Sequence, residues 1–173
     1  MRFDKFTIKS QELIQEAQGL TGQSGHQQIE PEHLLKAMLT QPEGISRSVA
    51  QKLGASPDAL LKQVSEVLER RPKVSGAGVG EVYISSRSKQ VLDKAFSEAA
   101  ELKDEYVSIE HMLMALAEEK GGDSGRILSE AGITRDSVLR VLVDIRGSQR
   151  ITDPNPEEKY QALDKFTRDL TDL

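Results

Sequence analysis

Ile29-Glu30-Pro31-Glu32-His33-Leu34-Leu35 returns 78 residues later as Val107-Ser108-Ile109-Glu110-His111-Met112-Leu113. The same offset carries Ser10 onto Ser88, Ala17 onto Ala95, Ala37 onto Ala115, Gly54 onto Gly132, Asp58 onto Asp136 and Leu61 onto Leu139. Between these identities lie exchanges of like for like, such as Leu13/Val91, Ile14/Leu92, Val49/Ile127 and Val64/Leu142. A register that never slips is the mark of a duplicated structural unit, and any function must fit a two-repeat shape.

Each repeat reads as four helices. In the first, Leu13, Ile14, Ala17 and Thr21 form a stripe at helical spacing, with Thr7 placed to cap the helix start. Gly22 to Gly25 breaks that helix. Pro31 suits the first position of a second helix, because its missing N–H has no partner to lose there, and Ile29 can pack on Leu34 as a hydrophobic staple. A third helix covers about Ile45 to Leu53 and stops at Gly54. Ser56-Pro57 opens a fourth, carrying Leu60, Leu61, Val64, Val67 and Leu68. In the second repeat, different residues do the same jobs. Ser85, Ser108 and Thr134 are the caps, Val107 and Met112 the staple, and Gly132 the stop. The expected fold is an all-α, pseudo-twofold bundle of two four-helix repeats, at about 6–71 and 84–146, in a domain spanning 1–147. A connector, Pro72 to Val82, joins the repeats. Its Ser75-Gly76-Ala77-Gly78-Val79-Gly80 lacks the Lys-Ser/Thr pair and the strand-to-helix setting of a phosphate loop.

Residues 148–173 read differently. Ile151-Thr152-Asp153-Pro154-Asn155-Pro156 is linker-like, and Asn155-Pro156-Glu157-Glu158 has the cap, proline and acidic first turn of a new helix. Tyr160, Leu163, Phe166, Leu170 and Leu173 give that helix an apolar face with nothing left in the chain to cover it. The chain is therefore read as ending just as another domain begins.

Composition narrows the function classes. A net charge of −5 and a pI near 5.3, with no basic run, argue against nucleic acid as a partner. No stretch approaches the ~20 apolar residues of a membrane span, and the charged N-terminus lacks the apolar run of a signal peptide. The absence of Cys excludes disulfides, thiol catalysis and thiolate metal sites. A cytoplasmic protein is the default expectation. The Glu32-His33 and Glu110-His111 pairs invite a metal or acid–base reading, hence a small metal-dependent hydrolase as one alternative. The opposing reading is that each His sits in the first turn of its helix and bonds locally, as the duplication favours. Only His26 remains, in a Gly-flanked loop, which argues against a three-His site. No nucleophile elbow, zinc-protease or dinucleotide motif is present.

Binding is easier to argue, from the places where the repeats disagree. Phe96 stands where the first repeat has Gln18, and Tyr106 where it has Gln28. In a chain with few aromatics these two either fill the seam between repeats or form an apolar recognition surface rimmed by Asp104, Glu105 and Glu110.

Four segments then carry a resemblance that covers essentially the whole chain. They are the opening Met1-Arg2-Phe3-Asp4-Lys5-Phe6-Thr7, the paired motifs at 29–35 and 107–113, and the tail Tyr160-Gln-Ala-Leu-Asp-Lys-Phe-Thr-Arg-Asp-Leu-Thr171. Together they resemble the N-terminal region of the Clp family of AAA+ chaperones, and the tail resembles the start of a first AAA+ module. The resemblance implies an eight-helix bundle tethered to a homohexameric, stress-response disaggregase ring that works with a DnaK-type chaperone system. It implies a domain without catalysis or cofactor of its own, the ATP and Mg belonging to the missing AAA+ modules. Unfolded or aggregated polypeptide is the implied partner. Thr7, Asp104 and Glu110 match polar positions tied to substrate handling in the family, and Leu92 and Tyr106 would line an apolar groove beside them. His111 and Met112 depart from the large apolar residues of some relatives, which limits the groove's apolar extent. Docking of a folded adaptor, as in related Clp unfoldases, is the other binding reading.

Overall fold

The computed structural model describes residues 3–74 and 81–147, with Ile151, Thr152, Pro154 and Pro156 beyond them. The expected helix at 157–173 and the segment 75–80 lie outside the described residues. A short 3₁₀ turn, Phe3–Lys5, leads into the eight α-helices found among the described residues: α1 (Ile8–Gln23), α2 (Pro31–Thr40), α3 (Ile45–Lys52), α4 (Pro57–Glu69), α5 (Ser86–Glu101), α6 (Ile109–Ala117), α7 (Asp123–Glu130) and α8 (Arg135–Arg146).

Local chemistry sets their ends. The side chains of Thr7, Ser56, Ser85 and Thr134 accept the N–H groups of Ser10, Ala59, Ser88 and Ser137, each three residues on. Gly54 and Gly132 follow α3 and α7 with φ of 82° and 79°, a left-handed conformation that only Gly adopts at no steric cost.

α2 and α6, the helices that open with the Glu-His motif, form the centre. Each is buried on nearly all sides: Leu34, Leu35, Ala37, Met38 and Leu39 in α2, and Met112, Leu113, Met114, Ala115 and Leu116 in α6. α1 packs on α2 and α5 on α6 within the repeats. Across them, α4 meets α7 as α8 meets α3, and α3 meets α6 as α7 meets α2. These pairs exchange under the 78-residue offset, so the bundle is pseudo-twofold and the repeats share one core.

A feature the helical patterning did not show is strand exchange. Gln28–Ile29 (β1) pairs in parallel with Tyr83–Ile84 (β2), the residues that lead into the second repeat. Val107, the counterpart of Ile29, pairs with Phe6, the counterpart of Ile84. Thr7 N–H donates to Val107 O at 2.9 Å, and Ser85 N–H to Ile29 O at 3.2 Å. Each repeat thus borrows the entry strand of the other, and their backbone groups are satisfied across the twofold. Two-residue strands leave no alternation to read, so this pairing was invisible to periodicity.

Candidate functional site

The two Glu-His motifs build matching hydrogen-bond chains at the starts of α2 and α6. The Nδ1 atoms of His33 and His111 accept the N–H of Glu30 and Ser108, each at 2.9 Å, which closes a capping box. With Nδ1 committed as acceptor, each neutral ring carries its proton on Nε2. His111 Nε2 donates to Asp104 Oδ2 at 2.8 Å. His33 Nε2 donates to His26 Nδ1 at 2.9 Å. Asp104 and His26 are counterparts under the same offset, so one repeat pairs its histidine with a carboxylate and the other with a second imidazole. His26 is therefore a buried partner of His33 rather than a separate loop residue. Burial pulls His33 down to about 4, helped by His26 and Arg71. Burial also lowers His111, against the pull of Asp104. Both Glu-His histidines act as local caps, and no group of three metal-ligating side chains occurs among the described residues.

The glutamates of the motif are buried as well. Glu32 meets Arg87 of α5 at 3.0 Å, Arg71 at 2.9 Å and Ser124 of α7 at 2.8 Å. Arg87 also bonds Glu30 and Glu119. Burial opposes charge on Glu32, but these donors outweigh it and lower its pKa. This network ties the repeats together around an anion that would otherwise be costly to bury.

The residues proposed for polypeptide binding occupy the second-repeat side, where the N-terminal segment meets α5, α6 and the 102–108 loop. Thr7 is 0% exposed, Leu92 1%, Asp104 8% and Glu110 0%, whereas Tyr106 is half-buried. Thr7 belongs to the α1 cap and donates to Ser10 Oγ at 2.9 Å. Leu92 is part of the shared core. Of the expected acidic rim, only Glu105 is exposed, while Asp104 and Glu110 face inward. The reason at Asp104 is its partners. Its carboxylate accepts from His111, from Arg146 Nη2 at 2.6 Å and from Ile151 N–H at 2.9 Å. Burial alone would raise its pKa, but the three donors lower it. Tyr106 presents its ring near Lys5 Nζ, 6.0 Å from the centroid. Phe96 is half-buried and meets Phe6 edge-to-face with centroids 5.1 Å apart, so it seals the N-terminal segment onto α5.

Residue reading missed the main chain of this region. Ile8 N–H donates to Pro154 O, and Glu105 N–H to Ile151 O, both at 2.8 Å. No side-chain pattern signals either bond, because both use main-chain groups that every residue carries. A shallow depression of about 530 Å³ elsewhere, lined by Arg87, Val91 and Glu119 among others, is walled by a guanidinium already committed to the inter-repeat network.

A duplicated helical module, with its repeats interlocked and its histidines used as caps, is the class of protein this geometry defines. More narrowly, the sequence pattern of the Clp repeat N-terminal domain matches residues 5–160, and the chain belongs to that family. It is 43% identical over 175 residues to the chaperone protein ClpB of Nitratidesulfovibrio vulgaris, covering 99% of this chain and 20% of that protein. To ClpB of Bacillus cereus it is 39% identical over 172 residues, with 98% and 20% covered. The chain thus spans about a fifth of the length of these curated relatives. The Hsp104 N-terminal domain from Candida albicans superposes with a TM-score of 0.76 at 27% identity, over 88% of this chain and 99% of that one. The N-terminal domain of the E. coli ClpV1 ATPase shares the fold, with a TM-score of 0.70 at 20% identity over 90% and 92%. Among the described residues, no helix is long and apolar enough to cross a membrane.

Proposed function

We propose that the chain is the substrate-recruiting N-terminal domain, residues 1–147, of an ATP-dependent disaggregase, followed at 148–173 by a linker and the start of a first AAA+ module. It binds unfolded or aggregated polypeptide beside Tyr106 and hands it to a cytoplasmic hexameric ring that cooperates with a DnaK-type system. It performs no catalysis and binds no nucleotide itself; ATP and Mg belong to the AAA+ modules. One observation carries this reading. Where the first repeat has exposed Gln28 and Gln18, the second puts half-buried aromatics, Tyr106 and Phe96. An aromatic edge suits a ligand with no fixed sequence, and the nearby N–H groups of Ile8 and Glu105 already hold main-chain carbonyls, those of Pro154 and Ile151. Thr7, Leu92, Asp104 and Glu110 support the surface from beneath, by capping α1, filling the core and fixing the 102–108 loop. Weak binding suits a hand-over, since a micromolar complex leaves only about 8 kcal/mol to overcome on release.

The test is a backbone NMR titration of the 173-residue chain with a permanently unfolded, aggregation-prone polypeptide. Shifts are expected around Thr7, Asp104 and Tyr106, and Tyr106→Ala weakens binding about tenfold, or 1.4 kcal/mol, at a temperature where the variant is still fully folded. Thr7→Ala serves as the contrast. It removes a cap worth ~1 kcal/mol, so its melting temperature falls whether or not binding does. Binding of a folded adaptor together with indifference to unfolded chains overturns the recruiting role in favour of adaptor docking.

A further inference from the structure

α8 does not run on past Arg146. Gly147 takes φ 61°, a left-handed turn, and the chain comes back against the bundle at Ile151. There it lies along the second-repeat site in a particular way. Ile151 N–H donates to Asp104 Oδ1 at 2.9 Å, and Ile151 O accepts from Glu105 N–H at 2.8 Å. Further on, Pro154 O accepts from Ile8 N–H at 2.8 Å. Every one of these bonds uses the main chain of the returning segment, so none of them reads its sequence. The side chain of Ile151 is 0% exposed and joins the shared core.

The first repeat shows what the same exit does without such a seat. Under the 78-residue offset, Lys73 and Val74 correspond to Ile151 and Thr152. Val74 N–H reaches Gly25 O at 2.8 Å, but Lys73, the counterpart of Ile151, keeps its side chain 56% exposed. Deep seating is thus particular to the second repeat, the one that carries Tyr106.

We propose that the segment bearing Ile151, Thr152 and Pro154 is a built-in occupant of the client site, a strap that an extended polypeptide must displace in order to bind. The strap offers what an unfolded client offers: main-chain donors and acceptors and one β-branched apolar side chain. The receiving groups are the N–H of Ile8, the N–H of Glu105 and the carboxylate of Asp104. Asp104 is then a positioning residue. It joins Arg146 at the end of α8, His111 at the start of α6 and the strap, so strap release frees one of its three donors and leaves the other two. This inference rests on the recruiting role proposed above.

Affinity for client is reduced by the fraction of time the site is covered, so uncovering a site open about a tenth of the time raises apparent affinity about tenfold. The test compares the 173-residue wild type with Ile151→Ser, using a fluorescein-labelled unstructured peptide rich in Leu, Val and Phe and reading anisotropy. Thermal unfolding of both chains checks that the bundle is intact. The expected result is a gain in affinity of about tenfold for Ile151→Ser. In the wild type, the Ile151 methyl resonances are expected to move to random-coil positions as peptide is added. This second readout requires no variant to fold. Measurable binding with equal affinity in both chains, and an Ile151 methyl that stays in place, overturns the strap while leaving the recruiting role standing. Weaker binding by Ile151→Ser makes the segment part of the receptor and also overturns it. No binding by either chain removes the recruiting role itself, and the strap with it.

Discussion

Mild acid should destabilise this domain, chiefly through its first repeat. His33 is fully buried, with Nδ1 taking the Glu30 N–H and Nε2–H given to His26. A second proton on either ring has no free acceptor between them, and Arg71 and Lys73 stand nearby as cations. The folded pKa of His33 is therefore pulled from 6.5 to about 4. The unfolded chain takes up that proton near its ordinary value, so between these values the unfolded state binds more protons and stability falls with falling pH. For His33 alone, the loss between pH 7 and pH 5 comes to about 2 kcal/mol, and it approaches about 3 kcal/mol below the folded value. His26 and His111, both lowered by burial, add loss in the same direction. Glu32 and Asp104, also lowered, begin to contribute only below their ordinary values of 4.5 and 3.8. The window from pH 6.5 to 5 therefore belongs to the histidines. Urea unfolding followed by circular dichroism at steps from pH 7 to 5 measures the effect, and ring-proton NMR assigns it. His26→Asp converts the pair into the arrangement of the second repeat; it raises the His33 pKa and flattens the acid loss. Stability constant within 0.5 kcal/mol over that window, or a folded His33 that titrates near 6.5, would refute this assignment of rings and protons.

Two further substitutions probe the bundle itself. Arg87→Ala leaves Glu32 buried with only Arg71 and Ser124 as donors and is expected to cost about 2 to 3 kcal/mol in urea unfolding; a cost under 1 kcal/mol would mean that the two remaining donors suffice. Gly132→Ala forces a side chain into the left-handed turn after α7 and is expected to lower stability by about 1 kcal/mol without altering peptide binding. Unchanged thermal unfolding of that variant would show that the turn relaxes freely.

The sequence by itself determined the duplicated unit and the ends of the helices. A cap at Thr7, Ser85 or Thr134, a proline at the start of α2 and a glycine after α3 act within three or four residues, so residue type and spacing are enough to place them. The local use of His33 and His111 was legible for the same reason, since the atoms that hold them lie three residues away. Tertiary structure alone decided the partners at long range. Glu32 looks like any acidic residue on a helix until Arg87, 55 residues on, reaches it. Asp104 and Glu110 read as a rim, but Asp104 is drawn inward by Arg146 and Ile151, 42 and 47 residues away. His26 and Asp104 occupy one position in the repeat, yet only packing shows that each completes a histidine's hydrogen bonds. The strand exchange and the strap are made of backbone groups, which every residue carries alike. No side-chain pattern encodes them, and they exist only once the two repeats close on each other and the chain turns back at Gly147.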